Sequence, residues 1–482
     1  MITPFFNINQ DEEFIFIEVK ISHVRFSAQN IEMVVQNELF VFSMTPYYLR
    51  LRLPFSCVDD ERAHAEFDSK SESVKIKIPK EIKGQDFPDL DLTGKLLARV
   101  DEKKVEKGPL IEELDVDNVM STGEGNNSPG VTEGEKFDWE ITQQEAQDPE
   151  IQVTSIKYGF NNQYDQIINI SSSNGNDINE LGDSENTSAT DRILERLIKE
   201  NVKFDLEYYA ADYIMEKYPS EDDDKMFKEL ITWSNPVSKK FLKWYQAQQK
   251  LPQEEREKIM GVDFTKEEQE KMIALPRKSY LIEDSYRPQL LTLLISLLFA
   301  YHFELRETEG DHNTESAWTI GKLTPQICFL DSQILVPSVS DDNILRATVI
   351  TSIRRALSYP LHRNFNLISK VWEDVYYNLR GGKRLVLKSL LDIKELFRFH
   401  DVYYVYDKIW MEDLCAWLIS DDLSEGMIRT LAHDLKNEYL TVSKTDITFE
   451  KLEEGTEDEF VAINLQEIEE MAEDLFRAYQ NN

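Results

Sequence analysis

Cysteine is scarce in this chain: three in 482 residues, Cys57, Cys328 and Cys415, odd in number and far apart. That excludes a disulfide framework and any metal knuckle built on paired thiolates, and it fits a reducing cytosolic or nuclear compartment. Long hydrophobic runs are also lacking. The longest, Leu290 to Phe303, is interrupted by Thr292 and Ser296, is too short to cross a bilayer, and reads as a helix buried on all sides. The opening Met-Ile-Thr-Pro-Phe-Phe has no basic stretch and no small-residue cleavage site, so no secretory signal is expected. Basic charge is the third deficit, with 54 Lys and Arg against 90 Asp and Glu and a formal net charge of −36. Such a chain is repelled by phosphate backbones and anionic membranes, so neither nucleic acid nor membrane is an expected partner. Its macromolecular partner should be basic, and RNA-binding proteins are the commonest basic surfaces in a cell.

Chemistry-bearing motifs are equally thin. Arg380-Gly381-Gly382-Lys383 lacks the glycine spacing and the following hydroxyl of a phosphate loop, and reads as a helix end and turn. The seven histidines are scattered; His302 and His312 are the nearest pair that could matter, and no zinc-protease spacing occurs. No nucleophile elbow or flavin fingerprint is present, and carboxylates are too abundant for any pair to point to acid–base work. The expectation is a non-enzymatic protein without metal or cofactor. Tyr403, Tyr404, Tyr406 and Trp410 form either an exposed recognition surface or, the favoured reading, an aromatic core where helices cross. Arg354-Arg355 and His362-Arg363 form either a local basic patch or, again favoured, partners of neighbouring carboxylates.

What is present is enough apolar material for real cores: 41% hydrophobic residues, with 25 Phe, 20 Tyr and 7 Trp. At this length more than one domain is expected. From Thr3 to about residue 80 the apolar pattern has period two: Ile15, Ile17, Val19 and Ile21; Leu49, Leu51 and Leu53; Val74, Ile76 and Ile78. With Thr3 to Ile8, Ile31 to Gln36, Glu38 to Met44 and Ala63 to Asp68, about seven short strands are predicted, separated by turn signals such as Gln36-Asn37 and punctuated by Pro46 and Pro54. This is the pattern of a small antiparallel sandwich, assigned to residues 1–95. Between Asp101 and Glu150 stand 15 acidic and 4 basic residues with little apolar periodicity, so 96–134 is read as a flexible acidic linker.

Residues 135–482 read as a mainly α-helical domain. Thr190 or Asp191 is expected to cap a helix whose Ile193, Leu194, Leu197 and Ile198 share one face. Asp341 or Asp342 starts another that ends before Pro360. Further helices are predicted over Phe365 to Leu379, Leu385 to Phe399, Ile409 to Ile419 and Ser424 to Tyr439, with Pro236, Pro252, Pro276, Pro288 and Pro325 at first-turn or breaker positions. From about 446 the chain carries 12 acidic residues against Lys451 and Arg477. That stretch is read as a largely extended acidic tail with one further helix at Leu465 to Tyr479. One-signed flexible segments have the composition of interaction tails.

Asp11 to Ala28 and Ser43 to Pro54 resemble the CS domain of the SHQ family, and the likeness continues through Tyr158-Gly159-Phe160, Ser173 to Leu181 and Arg354 to Leu367. The family's members are eukaryotic assembly factors for H/ACA ribonucleoproteins, and this chain is similar to a budding-yeast member. The resemblance implies a CS sandwich like those of small heat-shock and co-chaperone proteins, followed by an SHQ-specific helical domain. It also implies a client, the dyskerin-type pseudouridine synthase, held before RNA loading with its RNA-binding surface covered. A heat-shock chaperone or AAA ATPases are further partners it allows, and nucleoplasm and cytoplasm the expected locations. Both lines converge on an acidic placeholder whose carboxylates stand in for phosphates. Charge density selects Glu453, Glu454, Glu457, Asp458 and Glu459 as first candidates for contact, and Asp421, Asp422 and Glu425, in a turn between two late helices, as second. The alternative is a general heat-shock-chaperone adaptor serving several clients.

Overall fold

The period-two segments do become strands, because side chains alternate across a pleated strand and only one face here is apolar. The computed structural model describes residues 2–21, 31–44, 47–68, 73–98, 143, 156–219, 226–341, 343–359, 362–452 and 460–480. They fall into two units, Met1–Val153 and Thr154–Asn482.

In the first unit, β1 (Phe6–Gln10), β2 (Phe14–Lys20), β5 (His64–Asp68) and β6 (Ser73–Pro79) form an antiparallel sheet in the order β1-β2-β6-β5. Its second sheet pairs β3 (Glu32–Met44) with β4 (Tyr47–Cys57). Register places Ile15 opposite Ile78, Ile17 opposite Ile76 and Val19 opposite Val74, and all six are buried. The expected seven strands are six among the described residues. Ile31 to Gln36 and Glu38 to Met44, predicted as separate strands, are one, because Asn37 takes φ of 54° and the ladder shifts register there. Asn tolerates the left-handed region, so the turn signal produces a bulge instead of a reversal. A short helix, α1 (Thr93–Leu97), packs on β4. The Arg50 guanidinium is buried and donates to the Leu97 carbonyl at 2.8 Å, where a helix end favours a cation. Gln143 lies with this unit, accepting from Arg50 N–H at 3.0 Å and donating to the Tyr48 carbonyl at 3.1 Å. From residue 99 to 134 the predicted linker lies outside the described residues.

The second unit is helical. Its first helices are α2 (Ile168–Ser173), α3 (Ala189–Lys203), α4 (Leu206–Lys217), α5 (Met226–Thr232), α6 (Pro236–Gln249) and α7 (Lys266–Ala274). Then come α8 (Arg287–Glu307), α9 (Ser316–Leu323), α10 (Pro325–Cys328), α11 (Ile344–Ser358), α12 (Phe365–Arg380) and α13 (Lys383–Arg398). The last are α14 (Tyr404–Tyr406), continued by a π turn over Asp407–Met411, α15 (Glu412–Ile419), α16 (Glu425–Tyr439) and α17 (Leu465–Gln480). Helix α8 is long and apolar enough to span a bilayer by length and composition, yet it is the axis of this core. It is apolar all round because α9, α11 and α12 cover it.

Three expectations are corrected. Ser188 caps α3, accepting from Asp191 N–H, and Asn343 caps α11, accepting from Arg346 N–H; in each case a side-chain oxygen close to the predicted cap reaches the N–H three residues on. The apolar stripe of α3 is not the face it buries most deeply: Leu194 and Ile198 are 55% and 51% exposed and Ile193 and Leu197 half-buried, whereas Arg192, Arg196 and Glu200 are buried. The region after 446 is not an extended tail where it is described. Strands β7 (Thr448–Leu452) and β8 (Phe460–Asn464) form a hairpin, and α17 packs on α4. Phe449 and Leu465 are completely buried, and Phe204 stacks on Phe449 with ring centroids 3.7 Å apart. Apolar residues at helical and strand spacing outweigh the acidic composition once a neighbouring helix covers them.

Candidate partner interface

The turn carrying Asp421, Asp422 and Glu425 is held from both ends. Ser420 closes α15, donating through Oγ to the Trp417 carbonyl at 2.7 Å, and Ser424 caps α16 by accepting from Met427 N–H at 3.2 Å. Leu423 between them is fully buried, which pins the turn to the core and leaves Asp421 and Asp422 exposed. Glu425 is differently placed. Its Oε2 accepts from the Lys383 N–H at 3.1 Å, so it neutralises the positive end of α13. Gly382, at φ of 87°, permits this: a Cβ there would lie 2.5 Å from Glu425 Oε2. The Lys383 ammonium turns back to the Ser420 carbonyl at 2.9 Å; burial lowers its pKa, opposed by Glu425 and Asp421. Of the three carboxylates, the two aspartates face solvent and the glutamate is half-buried and engaged.

Asp421 and Glu425 lie on the wall of a cleft of about 990 Å³ between α7, α13 and α15. Asp422 lines a separate depression with Tyr280, Leu281, Glu283 and Arg287, and its carbonyl accepts from Arg287 at 3.1 Å. Glu453, Glu454, Glu457, Asp458 and Glu459 lie outside the described residues, between β7 and β8. On α17 some carboxylates already serve the fold. Glu469 is buried and accepts from Tyr209 Oη at 2.7 Å and Lys444 Nζ at 2.6 Å. Glu473 accepts from Tyr213 Oη at 2.6 Å and pairs with Lys217 and Arg477; the hydrogen bonds from Lys217 and then Tyr213 hold its carboxyl below the usual range.

The distinctive second-domain residues build the interior. Tyr158 Oη accepts from the Ile167 and Ile168 N–H groups at 2.8 and 2.9 Å and donates to Glu185 at 2.8 Å. Gly159 sits at φ of 77° where a Cβ would come within 2.7 Å of Tyr164 and 3.0 Å of the Ile409 carbonyl. Asn176 and Asp177 accept from Tyr406 and Tyr403 hydroxyls. Tyr403, Tyr406 and Trp410 are core residues, as the favoured reading had it, and Tyr404 packs half-buried against the same core. Arg354 and Arg355 are not a surface patch. Arg354 Nε meets Glu200 at 2.9 Å, Arg355 Nη2 meets Glu180 at 3.0 Å, and Arg196 Nε meets Asp331 at 2.8 Å, all in the interior. Burial alone would raise the Glu200 carboxyl, but Arg196, Arg354 and Arg355 together hold it low.

Two of the histidines are likewise absorbed by the fold. His302 lies fully buried between Asn235 and Asn378, with burial and then Arg306 pushing it down to about 3. His312 bridges Asp392 and Glu304, whose hydrogen bonds push it up to about 10. Gly381 ends α12 and Gly382 precedes α13, as read for a turn. Among the described residues, no group of three or more His, Cys, Asp or Glu side chains is placed to hold a metal ion.

A small antiparallel sandwich and a helical unit whose polar interior is spent on structure, with charged turns left at its surface, define a two-unit, sandwich-plus-helices class of protein. The SHQ1-like CS domain family model matches residues 3–97, and that of the SHQ1 protein, Shq1 domain, matches residues 253–451. The chain is 34% identical over 474 residues to Protein shq1 of Schizosaccharomyces pombe, covering 96% of this chain and 98% of that one. To the Protein SHQ1 homolog of Xenopus tropicalis it is 32% identical over 460 residues, covering 94% and 69%. To that of Mus musculus it is 30% identical over 421 residues, covering 87% and 69%. The chain belongs to the SHQ1 family of non-catalytic, chaperone-type assembly factors.

Proposed function

We propose that the protein chaperones box H/ACA ribonucleoprotein assembly by holding the dyskerin-type pseudouridine synthase before RNA loading, its own carboxylates occupying the basic surface that will later take RNA. The observation that carries this is the net charge of −36 in a member of an assembly-factor family. A basic surface awaiting RNA attracts any polyanion, and an acidic protein neutralises it without being RNA. The exposed Asp421 and Asp422 and the acidic stretch Glu453, Glu454, Glu457, Asp458 and Glu459 are the proposed contacts. The work would take place in the nucleoplasm and cytoplasm.

The test is a competition titration of labelled guide RNA against the synthase, at low and high salt. Wild type is compared with a variant carrying E453Q, E454Q, E457Q, D458N and E459Q and with the pair D421N/D422N. Exposed contacts are screened over about 8 Å at 0.15 M salt, so neutralisation should weaken binding and flatten its salt dependence. A stable ternary complex of synthase, guide RNA and this protein would refute the placeholder reading. The CS domain over residues 3–97 supports a second reading, a heat-shock-chaperone or AAA ATPase adaptor. Affinity purification returning a broad set of clients instead of one RNA-modifying enzyme would favour it.

A further inference from the structure

The cleft that carries Asp421 and Glu425 on one wall has a different chemistry on the other. Its floor is aliphatic, with Met272, Ile273, Leu275, Leu387, Ile419 and Leu423 among its lining residues. Two of these stand open to solvent, Ile273 at 69% and Ile419 at 46% exposure. Uncompensated apolar surface in a concave site is where a partner's side chains bury area at little cost. Around this floor stand Arg277, Lys278, Lys383 and Arg384.

Two of the four cations are already occupied: Lys278 pairs with Asp413 at 3.1 Å and Lys383 with the Ser420 carbonyl at 2.9 Å. Arg277 and Arg384 are exposed and, among the described residues, make no ion pair or hydrogen bond. In a chain with 90 acidic and 54 basic residues, two arginines without carboxylate partners beside one apolar floor are unexpected. The negative wall does not cancel them. Glu425 is engaged by the α13 N-terminus, and the Lys383 ammonium lies close enough to interact with both Asp421 and Glu425.

We propose that this cleft docks a short acidic segment of a partner protein, its aliphatic side chains on the Ile273–Ile419 floor and its carboxylates on Arg277 and Arg384. A guanidinium presents paired donors that match a carboxylate, which makes an unpartnered arginine a better anion receptor than a lysine. The floor argues for peptide over nucleic acid. Single-stranded RNA is held by aromatic faces on which bases stack, whereas the cleft is lined chiefly by aliphatic groups, with Phe264 its one aromatic. The inference does not rest on the synthase reading, which requires a basic partner; Asp421 on the cleft wall is the one residue the two have in common.

The test is selection of a randomised displayed-peptide library on the full chain, followed by titration of the best synthetic peptide by fluorescence anisotropy. Peptides pairing aliphatic with acidic residues should be enriched. The double variant R277E/R384E should weaken the selected peptide about tenfold or more and remove its salt dependence. I273D and I419D should each weaken it comparably. All four side chains are exposed, so melting temperatures should not move. Enrichment of neutral or basic peptides, absence of enrichment, or binding that survives both sets of variants would overturn the proposal. So would labelled polyuridylate binding in a way that depends on Arg277 and Arg384 while acidic peptides do not.

Discussion

Glu200 is the residue whose removal should cost the second unit most. It is fully buried on α3 and faces three guanidiniums: Arg196 at 3.2 Å, Arg354 at 2.9 Å and Arg355 at 3.8 Å. Other guanidinium donors reach Asp331, Glu180 and the carbonyls of Lys322 and Leu335, while the buried Arg355 Nη1 makes no hydrogen bond and has only the Glu200 charge to face. E200Q preserves shape and removes the charge, leaving buried cations with too few anions. Breaking a buried pair by deleting one partner costs about 3–5 kcal/mol, because the survivor's desolvation is no longer compensated. For a domain of this size about 2–3 °C accompanies each kcal/mol, so the melting transition of E200Q should fall by roughly 6–15 °C. The assay is thermal melting with urea titration of wild type, E200Q, R354M and E200Q/R354M. The double variant should be less destabilised than the sum of the singles, since its two costs are one broken interaction. If E200Q melts within 2 °C of wild type, or the doubles add, then the buried charges are not coupled and the account of α3 is wrong.

Other consequences are open to direct measurement. His302 has its pKa pushed from 6.5 down to about 3, so the unfolded chain binds the extra proton first; stability should fall as pH drops from about 6.5 toward 3, by up to about 1.4 kcal/mol per unit. Urea midpoints of H302Q should decline less steeply over that range, even from a lower starting value at pH 7, and an identical slope would contradict the buried neutral imidazole. His312 has the opposite sign: raised to about 10, it stabilises fully below about 6.5 and that contribution is lost as pH rises toward 10, so H312Q should flatten the alkaline limb. G382A forces a Cβ into a backbone at φ of 87° and against Glu425; a loss of about 1–3 kcal/mol is expected, with faster amide exchange across 420–425, and an unchanged melting curve would refute the coupling of that turn to α13.

The sandwich was legible because alternation is local information. Ile15, Ile17 and Val19 point to one side whatever the sheet order, and their burial follows once any second layer covers them. Helices α11, α12, α13 and α16 were legible for the same reason, through periodicity and breaker residues close to each end. Asn37 shows the limit: the same residue serves a reversal or a bulge, and pairing with β4 decides. The candidate acidic turn was found from charge density, but density is blind to engagement. Only Asp421 and Asp422 remain exposed there, whereas Glu425 is used to close α13.

By itself the sequence determined the order of a strand-rich unit before a helical one, the absence of recognisable catalytic motifs, and the strongly acidic balance, because composition and periodicity are properties of neighbouring residues. Tertiary structure alone decided the facing of α3, where Arg192, Arg196 and Glu200 lie inside and Leu194 and Ile198 outside. Hydrophobicity predicts the reverse; burial of charge becomes tolerable only when partners such as Asp331, Arg354 and Arg355, distant in sequence, arrive from other elements. The same holds for the cleft. Arg277, Arg384, Ile273 and Ile419 carry no pattern along the chain, and it is the meeting of α7, α13 and α15 that makes one surface of them.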